Sequence, residues 1–213
     1  MVVMRLLLLG ATGLVGSSTL KLAVASPEIS EVVAPTRTPL VPQNKLVNLV
    51  DSRLEGLTQS TKDWNLDAVI CALGTTKAKA GSEEAFRHVD YELPLAFARA
   101  CHAAGVETFA LVSAIGASAS SIFFYAKTKG ELEREIQQIG FRSLTICRPS
   151  MIAGTRNEPR AAEGFALALS RVLAPVLPKK FHVNPASVIA ASLLHSVLAA
   201  RPGFRLIFAE ELN

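Results

Sequence analysis

Residues 2–25 read VVMRLLLLGATGLVGSSTLKLAVA: an aliphatic run, a turn with three glycines, then a second apolar segment. Val2–Leu9 has the unbroken apolar character of a central parallel strand covered on both faces. Leu14–Ala25 reads as a helix. Between them, Gly10 allows a tight turn, Gly13 lets backbone approach a pyrophosphate, and Gly16 lets the helix pack closely on the strand. The helix begins near Leu14. The free N–H groups of Thr12, Leu14 and Val15, and the positive end of the helix dipole, therefore serve one anion-binding point. Strand, glycine turn and helix in that order are what a dinucleotide-binding fingerprint requires; the bland alternative is a purely structural turn.

The same rhythm continues along the chain. Glu31–Ala34, Leu46–Val50, Ala68–Leu73, Thr108–Ser113, Leu144–Cys147 and Arg205–Phe208 read as further strands. Ser82–Ala104 reads as a long helix with Ser82 as N-cap, Glu83 and Glu84 in its first turn and Gly105 at its end. Ser121–Ile139 reads as another helix, closed by Gly140. Alternation of this kind predicts an α/β fold: a doubly wound parallel sheet of about seven strands with helices on both faces. The whole chain, 1–213, is expected to form one domain. The segment 150–184 breaks the rhythm. Its apolar stretch Phe165–Leu173 reads either as part of a short substrate-capping region over the strand ends or as a packing helix.

Composition excludes several classes. Half of the 213 residues are apolar and 19% are charged, which rules out a disordered tail. The formal net charge is +4 with no long basic block, so there is no footprint for nucleic acid. Cys71, Cys101 and Cys147 lie in apolar runs without metal-ligand spacing, as buried free thiols of a reducing compartment do. The four histidines are scattered, and no metal site is expected. The apolar N-terminus is interrupted by Arg5 and shows no cleavage site, and no run is long enough to span a membrane. The expectation is a cytoplasmic protein.

The end of the second strand selects the nucleotide. NAD sites place a carboxylate about 20 residues beyond the glycines to bond the ribose 2′-hydroxyl. Here that point reads APTRT, with Thr36 and Arg37 and no acid. A hydroxyl beside a guanidinium suits a 2′-phosphate, favouring NADP(H) over NAD(H); the alternative is a solvated loop charge. Asp51, closing the third strand, reads either as an adenine contact or as a helix N-cap.

In FFYAKTKGELE, residues 123–133, Tyr125 and Lys129 are four apart and share one helix face. A phenol is a poor acid at neutral pH, and a neighbouring ammonium makes its phenolate easier to form. Tyr125 is then a candidate acid/base, donating a proton to a carbonyl oxygen as hydride reaches its carbon. Ser113, at the edge of the fifth strand, is a candidate third group to polarise that oxygen.

GATGLVG, CALGTTKAKAG, FRHVDYELPLAFARA, LVSAIGA, YAKTKGELE and CRPSMIAG together make the chain resemble the short-chain dehydrogenase/reductase superfamily. The resemblance is to its extended or atypical branch and, within it, to small oxidoreductases similar to the Tat-interacting tumour suppressor. It implies a Rossmann-like fold in which Leu73, Gly74 and Thr75 line the cofactor, and Arg148, Pro149 and Ser150 bring backbone near the nicotinamide. It also puts Ser113, Tyr125 and Lys129 on the catalytic triad, with Lys129 bonding the ribose. Asp90 stands where many extended members carry Asn. Barely sixty residues follow the sixth strand, which disfavours a bulky nucleotide-sugar substrate.

Two functions follow. One is an NADP(H)-dependent oxidoreductase acting on a small carbonyl-type substrate. The other is an NADP(H)-binding regulatory or redox-sensing protein without turnover, with a possible protein partner. No Gly-x-x-x-x-Gly-Lys-Ser/Thr loop supports an ATP-using kinase. Monomer and homodimer are both open.

Overall fold

The protein is described from a computed structural model, covering residues 3–154, 178 and 182–212. Seven strands form one parallel sheet: β1 (Met4–Leu9), β2 (Ile29–Thr36), β3 (Leu46–Val50), β4 (Ala68–Cys71), β5 (Thr108–Val112), β6 (Ser143–Arg148) and β9 (Gly203–Phe208). Their order is β3-β2-β1-β4-β5-β6-β9. The direction of winding reverses between β1 and β4, which opens a crevice at their carboxyl ends. Two-residue strands β7 (Ile152–Ala153) and β8 (Asn184–Pro185) pair beside it.

The aliphatic run explains why β1 is central. Leu6, Leu7, Leu8 and Leu9 are all 0% exposed. Leu6 and Leu8 join a core with residues of α1 (Leu14–Ala25) and α6 (Ala186–Ala199). Leu7 and Leu9 join the opposite core, with α4 (Leu93–Ala103), α5 (Phe124–Ile139) and a 3₁₀ helix (Leu54–Asp63). A strand buried on both faces has no polar face to present, hence no alternation. Each of these leucines contributes about 2 kcal/mol by leaving water.

The expected doubly wound parallel sheet is the observed one, with small shifts at the strand ends. The expected helix Ser82–Ala104 is interrupted. It consists of α3 (Glu83–Arg87), a π turn (His88–Glu92) and α4. Pro94 has no N–H to offer the carbonyl of Asp90, and its ring crowds that carbonyl, so the ladder widens by one residue. Leu93 N–H then bonds back to His88. Ser82 does cap the start, accepting from the Ala85 N–H. α5 begins at Phe124, later than Ser121, because the Ser121 hydroxyl first turns the chain by accepting from Phe123 N–H. The periodicity does not mark α6, nor the short α2 (Lys77–Ala80). α6 is apolar nearly all round, so it lacks the polar stripe that separates a helix from other buried segments. The stretch Phe165–Leu173 lies outside the described residues.

Candidate active site

Gly10 turns the chain with φ +83°, and a Cβ there would meet the Ala72 carbonyl oxygen at 2.5 Å. A Cβ on Gly16 would collide with the Gly10 carbonyl, so the first turn of α1 lies directly on the glycine loop. A Cβ on Gly13 would sit 3.3 Å from the same oxygen. The result is a backbone-walled cradle of the kind that admits a pyrophosphate. It opens into a cavity of about 910 Å³.

Of the anticipated cofactor residues, Gly10, Thr12, Gly13, Thr36, Arg37, Leu73, Gly74 and Thr75 line this cavity. Leu14, Val15 and Gly16 lie behind it, in the helix that carries the loop. Asp51 accepts a hydrogen bond from the N–H of Arg53 at 2.7 Å, closing a turn instead of lining the cavity. Ser52, Arg53 and Lys79 do line it, and the sequence reading does not include them. The signal for Arg53 is present all the same: a basic residue at the tip of the strand next to β2.

Tyr125 and Lys129 sit one turn apart on α5. Tyr125 is 46% exposed, its ring 5.6 Å from that of Phe86. Lys129 is buried, with its Nζ 2.7 Å from Asp90 Oδ1. The second Asp90 oxygen accepts from the Thr75 N–H at 2.8 Å. Burial pulls Lys129 toward the neutral amine. Asp90, with a smaller contribution from Tyr125, outweighs that and holds the ammonium above the ordinary lysine value. Asp90 thus ties the β4 loop to α5, and a Cβ on Gly74 would come within 3.8 Å of Lys129 Nζ.

Ser113, the residue after β5, is buried. Its hydroxyl donates to Glu133. Glu133 is gripped in turn by Arg148, whose Nε lies 2.9 Å from one carboxylate oxygen and whose Nη2 reaches the other. Ser113 has a single hydroxyl proton, and the structure commits it to this buried cluster. Pro149 and Ser150 are likewise engaged in scaffolding: the Pro149 carbonyl accepts from Ile115 N–H at 2.8 Å, and Ser150 N–H donates to Asn184 at 2.8 Å.

His88 bridges two carboxylates at the cavity wall, Glu55 through Nε2 and Glu92 through Nδ1, and the hydrogen bond with Glu92 above all raises its pKa. Burial pushes the Cys71 thiol up to about 11, and Cys101 and Cys147 to about 12. Among the described residues no cluster of three or more His, Cys, Asp or Glu side chains is placed to hold a metal, and no helix is long and apolar enough to cross a membrane.

Comparison with known proteins adds to this geometry. The HIM1 family model matches residues 47–179. The protein "FMP52, mitochondrial" of Candida albicans (strain SC5314) is 42% identical over 160 residues, covering 73% of this chain and 70% of that one. The protein "fmp52, mitochondrial" of Aspergillus fumigatus is 34% identical over 210 residues, covering 92% and 88%. Among solved structures, the UDP-glucose 4-epimerase of Thermus thermophilus, in complex with NAD, shares the fold with TM-score 0.70 at 17% identity, over 96% of this chain and 78% of that one. The fungal relatives overturn the expected cytoplasmic location, since their names place them in mitochondria. Buried free thiols and an apolar composition suit any reducing compartment, so they could not have distinguished the two.

Proposed function

This chain belongs to the HIM1 family and is a relative of the fungal FMP52 proteins, and from that premise we propose that it is a mitochondrial NADP(H)-binding oxidoreductase of the short-chain dehydrogenase/reductase type. The observation that carries the reading is the contact of Lys129 and Asp90 with the glycine-lined cavity through Gly74 and Thr75. Neither Lys129 nor Tyr125 lines the cavity itself; Asp90 ties Lys129 to its wall at Thr75, and Tyr125 stands one turn of α5 away, which supports a catalytic-type pair beside the dinucleotide. When bound, a reduced nicotinamide supplies hydride to an electrophilic carbon. The chain's own residues do the rest. The N–H groups of Thr12, Leu14 and Val15 receive the pyrophosphate over the cradle of Gly10 and Gly13, while Thr36 and Arg37 stand at the 2′-phosphate of the adenosine half. Lys129 holds a positive charge beside Tyr125, and Tyr125 gives its phenolic proton to a carbonyl oxygen of a small substrate. Ser113 positions the loop before α5 through Glu133 rather than meeting the substrate.

The test is titration with NADPH and NADH, followed by a screen of carbonyl compounds for NADPH oxidation. The reading expects tight NADPH binding, and turnover that Tyr125→Phe removes at least a hundredfold while NADPH affinity stays within about threefold. Undiminished turnover in Tyr125→Phe would sink the mechanism.

A second reading, an NADP(H) sensor without turnover, draws its support from the commitment of the Ser113 hydroxyl to Glu133, which leaves the triad one donor short. Tight NADPH binding with no turnover across a broad screen would favour it.

A further inference from the structure

We propose that Arg53 is the second half of a two-guanidinium clamp, with Arg37 as the first, for the 2′-phosphate of NADP(H). The inference rests on the dinucleotide reading above and adds a residue to it.

Three observations converge. The first is register. Thr36 pairs with Val50 across β2 and β3, and Asp51 N–H continues that ladder by donating to the Thr36 carbonyl at 3.0 Å. Arg37 and Arg53 thus leave adjacent strand tips, where parallel strands run about 4.8 Å apart. Both line the cavity that Gly10 and Gly13 open into.

The second is the turn. Asp51 Oδ1 accepts from Arg53 N–H at 2.7 Å, an Asx-type turn that presents residue 53 to the cavity. The acid of this loop is thereby turned onto its own backbone. Glu55, two residues further on, faces His88.

The third is charge. Arg5, Arg87, Arg99, Arg134, Arg142 and Arg148 are each ion-paired with a carboxylate, as is Arg205. Arg37 and Arg53 are exposed and have no carboxylate partner among the described residues. Among the described residues only Arg201 shares that state, and it lies on another part of the chain, so two unpaired guanidiniums beside a single cavity call for an external anion. Lys79 lines the same cavity and adds a third positive charge. The cavity's acids, Glu55, Glu84 and Glu92, belong to the 3₁₀ helix, α3 and the π turn, and two of the three face His88. A phosphomonoester dianion accepts several donors at once, and planar guanidinium forks match its geometry, so each arm adds to discrimination against the unphosphorylated ribose.

The experiment compares binding of 2′,5′-ADP and 5′-AMP, two probes that differ only in the 2′-phosphate, by calorimetry on the full chain. The native protein should bind 2′,5′-ADP at least tenfold more tightly. Arg53→Gln and Arg37→Gln should each weaken 2′,5′-ADP at least fivefold and change 5′-AMP less than twofold, with far-UV circular dichroism unchanged. Loss in Arg37→Gln but native affinity in Arg53→Gln would remove Arg53 from the clamp and leave the NADP(H) reading standing. Equal native affinity for the two probes would overturn the clamp while leaving the dinucleotide cradle intact. Binding of neither probe would overturn the clamp and the dinucleotide reading together.

Discussion

Asp90 and Lys129 meet out of water: Nζ lies 2.7 Å from Oδ1, and the side chains are 1% and 5% exposed. The approach is ionic, off the hydrogen-bond direction at that oxygen, while Oδ2 takes a directed bond from Thr75 N–H. Removing one partner of such a pair strands the other charge in a dry site. Asp90→Ala should therefore destabilise the protein by about 3 kcal/mol. In urea unfolding, Asp90→Ala/Lys129→Met should cost less than the sum of the two single changes. Additive costs would show that the two groups do not interact.

Ser113, Glu133 and Arg148 form a second buried polar cluster, one turn further along α5 from Lys129. Glu133 is 2% exposed and takes bonds from both neighbours. Arg148→Met leaves a buried carboxylate without its cation and should destabilise by about 3 kcal/mol. Ser113→Ala removes one hydrogen bond, about 1–2 kcal/mol. Turnover, once a substrate is found, should stay within about threefold in Ser113→Ala, measured at a temperature where the variant is folded. A loss of a hundredfold or more would return Ser113 to the reacting centre.

Two glycines of the cleft should respond differently to alanine. At Gly16 the new methyl group would strike the backbone of Gly10, which has no room to yield. Gly16→Ala should lower stability by about 2–3 kcal/mol and abolish nucleotide binding. At Gly74 the nearest atoms are Asp90 Oδ1 at 3.4 Å and Lys129 Nζ at 3.8 Å, ordinary contact distances. Gly74→Ala should change stability by less than about 1 kcal/mol. Thermal melts of the two variants side by side decide the matter.

His88 supplies a pH dependence. Its hydrogen bond to Glu92, aided by Glu55, raises its pKa on folding, so the folded state binds the proton more tightly than the unfolded chain. That stabilisation is fully present below the unfolded value of about 6.5 and fades as pH rises through the folded value. The melting temperature of the native protein should exceed that of His88→Gln more at pH 6 than at pH 9. An equal gap at both would mean that the bridge contributes nothing through charge.

Much of this was legible in the residues themselves. An unbroken aliphatic strand, a glycine turn and a helix define a βα unit because local periodicity and steric freedom are properties of neighbours in the chain. Leu46–Val50 and Leu14–Ala25 could be bounded to the residue for that reason. Tyr125 and Lys129 likewise share a face because helical spacing is local. The π turn was harder to see, although its cause, Pro94, stands in the sequence.

What only the tertiary structure decided is where side chains end. Ser113 sits twelve residues before Tyr125, and spacing alone suggested one site, yet its proton goes to Glu133, twenty residues along. Asp90 reaches Lys129 across the gap between two helices. Arg37 and Arg53 line one cavity because β2 and β3 are neighbours in the sheet. Chain spacing encodes period and handedness. The direction of one hydroxyl or carboxylate is set by which charges the folded sheet and helices bring within hydrogen-bonding reach of it, and those charges come from distant parts of the chain.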